Sequence, residues 1–464
     1  MPAAEPRARA ERRGADERAF VGRKNDVERI RDWVRGHGWV GKVTAISIEG
    51  PGGIGKSTLC EHALEPEELA ARGYLRADVA GQDDPADTSV FSWVERLVGS
   101  AAARLDDPGA AFARTRRVLA YHHEILSALE SELRTAHAGE EQIGAARAFF
   151  GAARLGVGTL RRDLKALASN QAREDVERIW KTIRSAAALQ SRRWDQLMRP
   201  LKNDVRRTPM RALARSLVLD IEQLFDAGFG RESPAHGRLL IVLDDYEGLS
   251  TVLGRMLVGE LVPRLRDATF ETLLVVIGRD DIRMTDGAWE GSLAPVLAER
   301  RVVLRPLHAD DVTQLCAARS VDDPATVTRI LEESHGYPWL VDILLDDLGT
   351  TGKSPVTSYH RFVRRMARFM TEVERRWFEA LCFLDAVSYA TIATVLPDTD
   401  RELVMSWFID EQSIRSFDAD IWKVWPYIRH RVLLYRWSID PDGCEVLADT
   451  TGMRWRPGRS ASLL

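Results

Sequence analysis

The sequence predicts an α/β fold built on a doubly wound parallel sheet, and three observations carry that expectation. A glycine-rich stretch, Gly50–Gly55, lies between the β-rich run Val43–Ile48 and a helical pattern that starts at Lys56. Two further apolar runs, Leu239–Leu243 and Leu273–Ile277, are nearly continuous, as strands buried on both faces of a parallel sheet must be. Between such runs lie helical segments, the alternation expected of βαβ units.

Taken in order, residues 1–18 are charged and nearly free of large apolar side chains, so they are expected to be disordered. Order begins at Phe20-Val21-Gly22-Arg23 and passes into a short helix. Val27, Ile30 and Val34 share one face of it, Asn25 with Glu28 forms a start signal resembling a capping box, and Gly36 and Gly38 end it. Val43–Ile48 is the first strand, Tyr74–Val79 the second, and Phe91–Leu105 a helix. Leu239–Leu243, Leu273–Ile277 and Val302–Leu304 complete five strands. Between the second and third lies a helical insertion over about 106–205, far more than the dozen or so residues a parallel crossover needs. Val118, His122, Ile125, Leu129 and Leu133 step at helical spacing, Gly151–Gly158 interrupts, and Arg161–Leu201 resumes. Residues 154–207 hold 14 basic and 6 acidic side chains, which reads first as a solvated helical face.

After Leu304 the pattern turns helical over 308–350, with a basic amphipathic helix at Arg361–Phe369. Helices, a short hairpin near Ser416–Val424 and a final helix follow, the order of a winged helix. The expected division is 19–305 for the sheet domain, 306–358 for a helical lid, 359–437 for the winged helix and 438–464 for a tail without periodicity.

The totals exclude little. The chain has 464 residues, a net charge of −4 and four widely spaced cysteines, Cys60, Cys316, Cys382 and Cys444. That spacing suits neither zinc nor redox chemistry, and the absence of a leader-like apolar stretch or a membrane span points to the cytoplasm. Only eight of the 65 basic residues are lysine, which base composition explains. His122, His123 and His430 do not form metal-ligand spacings. Trp180 and Trp194 read as packing residues.

The chemistry concentrates in two places. Gly50-Pro51-Gly52-Gly53-Ile54-Gly55-Lys56-Ser57 matches G-x-x-x-x-G-K-[ST] at every fixed position. Glycines let main-chain N–H groups turn inward toward phosphate oxygens, and the helix that follows aims its positive end at the same place. Lys56 would neutralise the β- and γ-phosphates, the Ser57 hydroxyl would ligate Mg2+, and Thr58 continues the cradle. Leu239–Leu243 ends in Asp244-Asp245, two carboxylates at the edge of the sheet where ligands bind in such folds. Asp244 would orient the metal, Asp245 would act as general base on water, and Glu247 is a second candidate for that role. Arg279, after the strand ending in Gly278, is placed to sense a γ-phosphate.

In this order and spacing the motifs resemble the STAND class, signal-transduction ATPases related to the AAA+ superfamily, over residues 19–105 and 206–437. Phe20-Val21-Gly22-Arg23 is similar to the h-h-G-R-E signature of that class, with Lys24 where the acidic residue is usual. Gly336-Tyr337-Pro338 is similar to its G-x-P motif. The resemblance implies that Val21, Arg23 and Pro338 flank an adenine, that ATP and ADP are the ligands, and that hydrolysis is slow. It also implies a switch that opens and often self-associates or meets a protein partner. The class often locks ADP with a histidine from the winged helix; here Trp425-Pro426 stands nearest, with His430 just beyond.

The alternative is an ATP-controlled DNA-binding regulator or AAA+-like loader, using the basic insertion or the winged helix. The expected recognition helix, Asp398–Arg415, opposes that reading. It carries Asp398, Asp400, Glu402, Asp410 and Glu411 against Arg401 and Arg415. A small-molecule kinase is disfavoured by the long helical and winged region after the sheet.

Overall fold

The computed structural model describes residues 20–36, 43–81, 90–120, 123, 127, 209–229, 237–285, 289, 291, 293–349, 355–367, 370–411, 413–418 and 420–456. The expectations for residues 1–18, for Gly38 and for most of the insertion, including His122, Trp180 and Trp194, lie outside the described residues. The chain groups into two compact units, one of residues 32–48 and 64–302, the other of 1–31, 49–63 and 303–464.

The first unit holds the sheet. Its strands are β1 (Val43–Glu49), β2 (Tyr74–Ala80), β3 (Arg238–Asp244), β4 (Glu271–Gly278) and β5 (Arg301–Val303), in the order β2-β3-β4-β1-β5. This is the parallel five-stranded sheet with surrounding helices that the apolar runs predict. Every residue of β1 is buried, as is every residue of β4 after Glu271. Strands without a polar alternation have no wet face, so they fit only the interior of such a sheet. The edge strand β2 differs in showing half-buried Arg76 and Asp78, whose side chains pair at 2.8 Å.

Parallel pairing runs from Tyr74↔Arg238 to Ala80↔Asp244 on one side of β3, and from Arg238↔Glu271 to Leu243↔Val276 on the other. The core is filled by Leu239, Ile241 and Leu243 from β3, Leu274 and Val276 from β4, and Trp93 and Leu97 from helix Val90–Ala102. Helix Pro209–Asp226 adds Leu213 and Leu217, and Tyr246 and Trp289 close the cluster. Buried Asp220 accepts hydrogen bonds from the main chain and hydroxyl of Thr115, both at 2.8 Å, tying that helix to the segment that leads into the insertion. After β3 the helix Glu247–Gly254 widens into a π turn over Arg255–Leu261 before continuing as Val262–Asp267.

The helix Lys24–Val34, which runs past the division after residue 31, starts earlier than the sequence signal suggests. Gly22 and Arg23 both have left-handed φ values, and the Arg23 carbonyl takes the first helical bond from Val27 at 3.0 Å. Asn25 therefore lies inside the first turn. Helices Ala309–Ala318, Pro324–Ser334 and Pro338–Gly349 pack around Leu307, Val312, Cys316, Ile330, Val341 and Leu345. His335 and Gly336, with φ of 49° and 74°, turn the chain between the last two. A Cβ on Gly336 would lie 2.2 Å from the Leu307 carbonyl oxygen, so only glycine fits.

Four helices, Pro355–Met366, Glu372–Leu381, Tyr389–Val395 and Arg401–Asp410, then precede a hairpin of β6 (Arg415–Asp418) and β7 (Ile421–Val424) and the helix Pro426–Ile439. The expected recognition helix is trimmed at both ends. Asp400 caps it by accepting from the Glu402 and Leu403 amides, and Arg415 belongs to β6. A last helix, Pro441–Thr451, occupies the segment expected to be a tail. Tryptophans serve packing here, with Trp377 against Trp407 and Trp437 against Trp455. The four cysteines are buried free thiols. No helix among the described residues is long and apolar enough to cross a membrane.

Candidate functional site

The glycine loop follows directly from the last residue of β1. Gly50, Gly53 and Gly55 have φ of 144°, 90° and 94°, a region closed to most side chains. Packing adds a second constraint at two of them. A Cβ on Gly50 would meet Ile54 Cγ2 at 3.0 Å and the Leu304 carbonyl oxygen at 3.1 Å, and one on Gly53 would meet Trp339 Cβ at 3.1 Å. At Gly55 the same position opens onto empty space. The Gly55 carbonyl accepts from Leu59 at 2.9 Å and so opens the helix Lys56–Ala63. Lys56 is 6% exposed, and its ammonium donates to the carbonyls of Gly50 at 2.6 Å and Pro51 at 3.1 Å. Ser57 and Thr58 are exposed on the first turn.

Two side chains from distant segments fasten this loop. The Arg23 guanidinium donates to the Ile54 carbonyl at 3.0 Å and to the Arg305 carbonyl at 2.8 Å. Burial pushes its pKa down while Asp26 and Asp311 push it back up. Gly22 leaves room for the Asp311 carboxyl, whose Cγ would lie 2.8 Å from an added Cβ. Phe20 stacks on His62 at 4.1 Å. From the other direction, the fully buried Tyr337 donates its hydroxyl to the Gly52 carbonyl. Its ring stacks on Tyr427 at 4.9 Å, at the start of the helix that follows the hairpin. Burial holds the Tyr427 phenol well above its ordinary pKa, so it stays neutral.

Sequence reasoning singled out Pro338, which is the first residue of its helix. It missed Tyr337, because nothing in a Gly-x-Pro spacing says where the middle side chain reaches. His430 is largely buried against Trp455 at 5.2 Å, and its pKa falls to about 4 through burial and the nearby Arg431 and His335. Tyr427, rather than His430, faces the residue that touches the glycine loop.

The carboxylates form a second cluster, at the ends of β3 and β4. The Asp244 side chain accepts from the Asp245 amide at 2.9 Å. Asp245 has φ of 50°, an uncommon left-handed value for a side-chain-bearing residue. Gly81, after β2, donates to the Asp244 carbonyl at 2.8 Å, and a Cβ on it would lie 2.5 Å from the Asp245 carbonyl oxygen. Tyr246 donates its main-chain N–H to Ile277 at 3.0 Å, and its hydroxyl accepts from Trp289 at 2.8 Å. The Glu247 carboxylate accepts from the main-chain N–H of Arg279. Arg279 itself is 8% exposed. Just beyond, hydrogen bonds from Arg283 hold the Asp281 carboxyl below its usual pKa against the opposing effect of burial, with Arg301 assisting. Asp244, Asp245, Glu247, Gly278 and Arg279 thus belong to one structured cluster, while Gly81 and Tyr246 are members that the sequence did not announce.

Each cluster, taken by itself, carries groups of the kind that meet a magnesium nucleotide. Among the described residues no group of three or more His, Cys, Asp or Glu forms a protein cage for a metal. Mg2+ in phosphate sites needs only one or two protein oxygens beside the phosphates and water. On the glycine loop the Ser57 hydroxyl is a donor of that kind and Gly55 leaves space where a Cβ would intrude; in the carboxylate cluster Asp244 is another such donor.

No known family model and no curated protein matches the chain. Among solved structures it is similar to the Walker-type ATPase PABY2304 of Pyrococcus abyssi, at 12% identity and a TM-score of 0.47, over 90% of this chain and 97% of that one. It is also similar to the Aeropyrum pernix ORC2 protein in its ADPNP–ADP complexes, at 9% identity and a TM-score of 0.40, over 94% and 96% of the two chains. The Aeropyrum pernix ORC1 protein in complex with DNA aligns at 11% identity and a TM-score of 0.34, over 92% and 95%.

Proposed function

We propose that this chain is an ATP-binding, slowly hydrolysing nucleotide switch of the STAND type, in which the ATP or ADP state governs a conformational change or self-association. The observation that carries the reading is Tyr337. One side chain touches the Gly52 carbonyl with its hydroxyl and Tyr427 with its ring. A phosphate entering the loop and drawing its amides inward would load that hydrogen bond, and the stack would pass the load to the helix after the hairpin.

In this reading residues 50–58 hold the phosphates, with Lys56 moving off the Gly50 and Pro51 carbonyls to meet them. Ser57 from the glycine loop and Asp244 from the carboxylate cluster would each offer an oxygen to Mg2+, which would neutralise the β- and γ-oxygens. Asp245 takes the proton of the attacking water, and Arg279 senses the γ-phosphate. Val21, Arg23 and Pro338 border the adenine. The helices and hairpin over 359–437 act as a winged-helix output module that meets protein.

Its surface supports a protein partner over DNA. The helix Arg401–Asp410 exposes Glu402, Leu403 and Asp410 beside a single basic residue, Arg401, and the hairpin exposes Phe417 and Ile421. Acidic and apolar side chains repel or ignore a phosphate backbone.

Mass measurement by light scattering on protein loaded with ATP, ADP or neither tests the switch. The expected result is a change in assembly state or hydrodynamic size between ATP and ADP. Identical behaviour in all three samples, with nucleotide bound, would sink it. Titration with duplex DNA across a salt series tests the loader reading, which requires salt-dependent affinity.

A further inference from the structure

The ladder between β3 and β4 ends at Leu243↔Val276, because Asp244 and the left-handed Asp245 turn the chain away. Beyond that point two further rungs cross from the start of the helix Glu247–Gly254. Tyr246 N–H reaches the Ile277 carbonyl at 3.0 Å, and the Glu247 carboxylate accepts the N–H of Arg279. A side chain thus replaces the strand partner that Arg279 would otherwise need. Gly278 is what lets it approach, since a Cβ there would lie 2.7 Å from the same carboxylate oxygen. A charged acceptor on a main-chain donor makes a short, strong bond.

We propose that Glu247 is a positioning residue for Arg279. It fixes the main chain from which the buried guanidinium departs, and so couples the Asp244-Asp245 turn to the arginine. The proposal rests on the ATPase reading for its catalytic consequence, but not for the contact. Glu247 Oε1 is engaged by the Arg279 N–H, so the proposal gives Glu247 a positioning role in place of the general-base role. Any shift of the turn would reach Arg279 through this contact, which ties the arginine's position to that of the carboxylates.

The test compares Glu247→Ala, Glu247→Gln and Glu247→Asp. Glutamine keeps an oxygen acceptor at the same reach but has no basicity. Aspartate keeps the charge but is one methylene short. Hydrogen exchange on the full chain without nucleotide reads the Arg279 amide directly. It is expected to accelerate about tenfold or more in the Ala and Asp variants and to stay protected in Gln. In steady-state ATP hydrolysis the Ala and Asp variants are expected to lose about tenfold in kcat at unchanged KM, with Gln recovering most of it. Loss of turnover in Gln equal to that in Ala, with the Arg279 amide still protected, would overturn the proposal and make Glu247 the base. Unchanged exchange in Ala and Asp would overturn the contact itself. Absence of hydrolysis in the unmutated protein would instead strike the ATPase reading, leaving the exchange result to judge Glu247. Should the Ala variant fail to fold, the Asp and Gln pair carries the same contrast.

Discussion

Gly81→Ala is the sharpest probe of the carboxylate cluster, because it adds one carbon at a place where the geometry forbids it. The new Cβ would lie 2.5 Å from the Asp245 carbonyl oxygen and 3.1 Å from Asp245 Cβ, where ordinary contact begins at 3.4 Å. The shortfall of about 0.9 Å falls on backbone that is already held. Gly81 donates to Asp244 at 2.8 Å, Ala80 is in register with Asp244, and Asp245 sits in a left-handed turn. The atoms it would meet are Asp245 backbone and Cβ and not the far end of a side chain, so relief requires the main chain to move. Overpacking of this kind costs about 1 to 3 kcal/mol. A catalytic group displaced by about 1 Å loses about a hundredfold in rate, so a shift of roughly half that should cost about tenfold. The expected outcome is a thermal midpoint lowered by several degrees, kcat for ATP reduced about tenfold or more, and affinity for a fluorescent ATP analogue within about threefold of the parent. A variant that hydrolyses ATP at the parental rate with a parental midpoint would refute the argument, since Asp245 would then tolerate displacement or lie outside the reaction.

Three further outcomes follow from the same structure. Lys56→Ala removes an ammonium whose charge-assisted bonds are worth about 1.5 to 3 kcal/mol each, so nucleotide affinity should fall by about a hundredfold, and parental affinity by calorimetry would remove Lys56 from phosphate binding. Asp245→Asn should retain ATP while slowing single-turnover hydrolysis by about a hundredfold or more, and unchanged turnover would place the base elsewhere. His430 has a folded pKa of about 4 against 6.5 for the free side chain, because burial and the neighbouring Arg431 and His335 disfavour its proton. The unfolded chain therefore binds that proton first as pH falls, so the stabilisation present above about pH 6.5 declines toward pH 4. Thermal midpoints measured over that range should show a shallower acid slope in His430→Gln, and parallel slopes would discount the residue.

The parts legible in the sequence were those written in local pattern. Nearly continuous apolar runs announced β3 and β4, a β-rich run announced β1, and the glycine spacing announced the loop, because each reports its own burial or its own φ. What stayed hidden depends on residues brought together from afar. Tyr337 and Gly52 are separated by 285 positions, and no spacing rule connects them. Gly81 looks like any loop glycine until β2 is set beside β3. The helix Pro441–Thr451 had its signals, with Asp440 capping, Pro441 in the first turn and Gly452 left-handed at its end. Its apolar face is thin, with small Cys444 and Ala448 buried and Val446 66% exposed, so periodicity gave no warning. At the start of Lys24–Val34 the pattern misplaced the cap, because the left-handed Arg23 supplies the first carbonyl.

The way the chain threads the two units has a practical outcome for anyone expressing pieces of it. It passes from one to the other after residues 31, 48, 63 and 302, so both are assembled from separated stretches. A fragment beginning at 303 would carry Tyr337 without the Gly52 carbonyl it serves, and Arg305 without the guanidinium of Arg23. End-cuts that reach the junctions after residues 48 or 63 strip material from both units, and deletion mapping that passes them would report lost folding where it meant to report lost function.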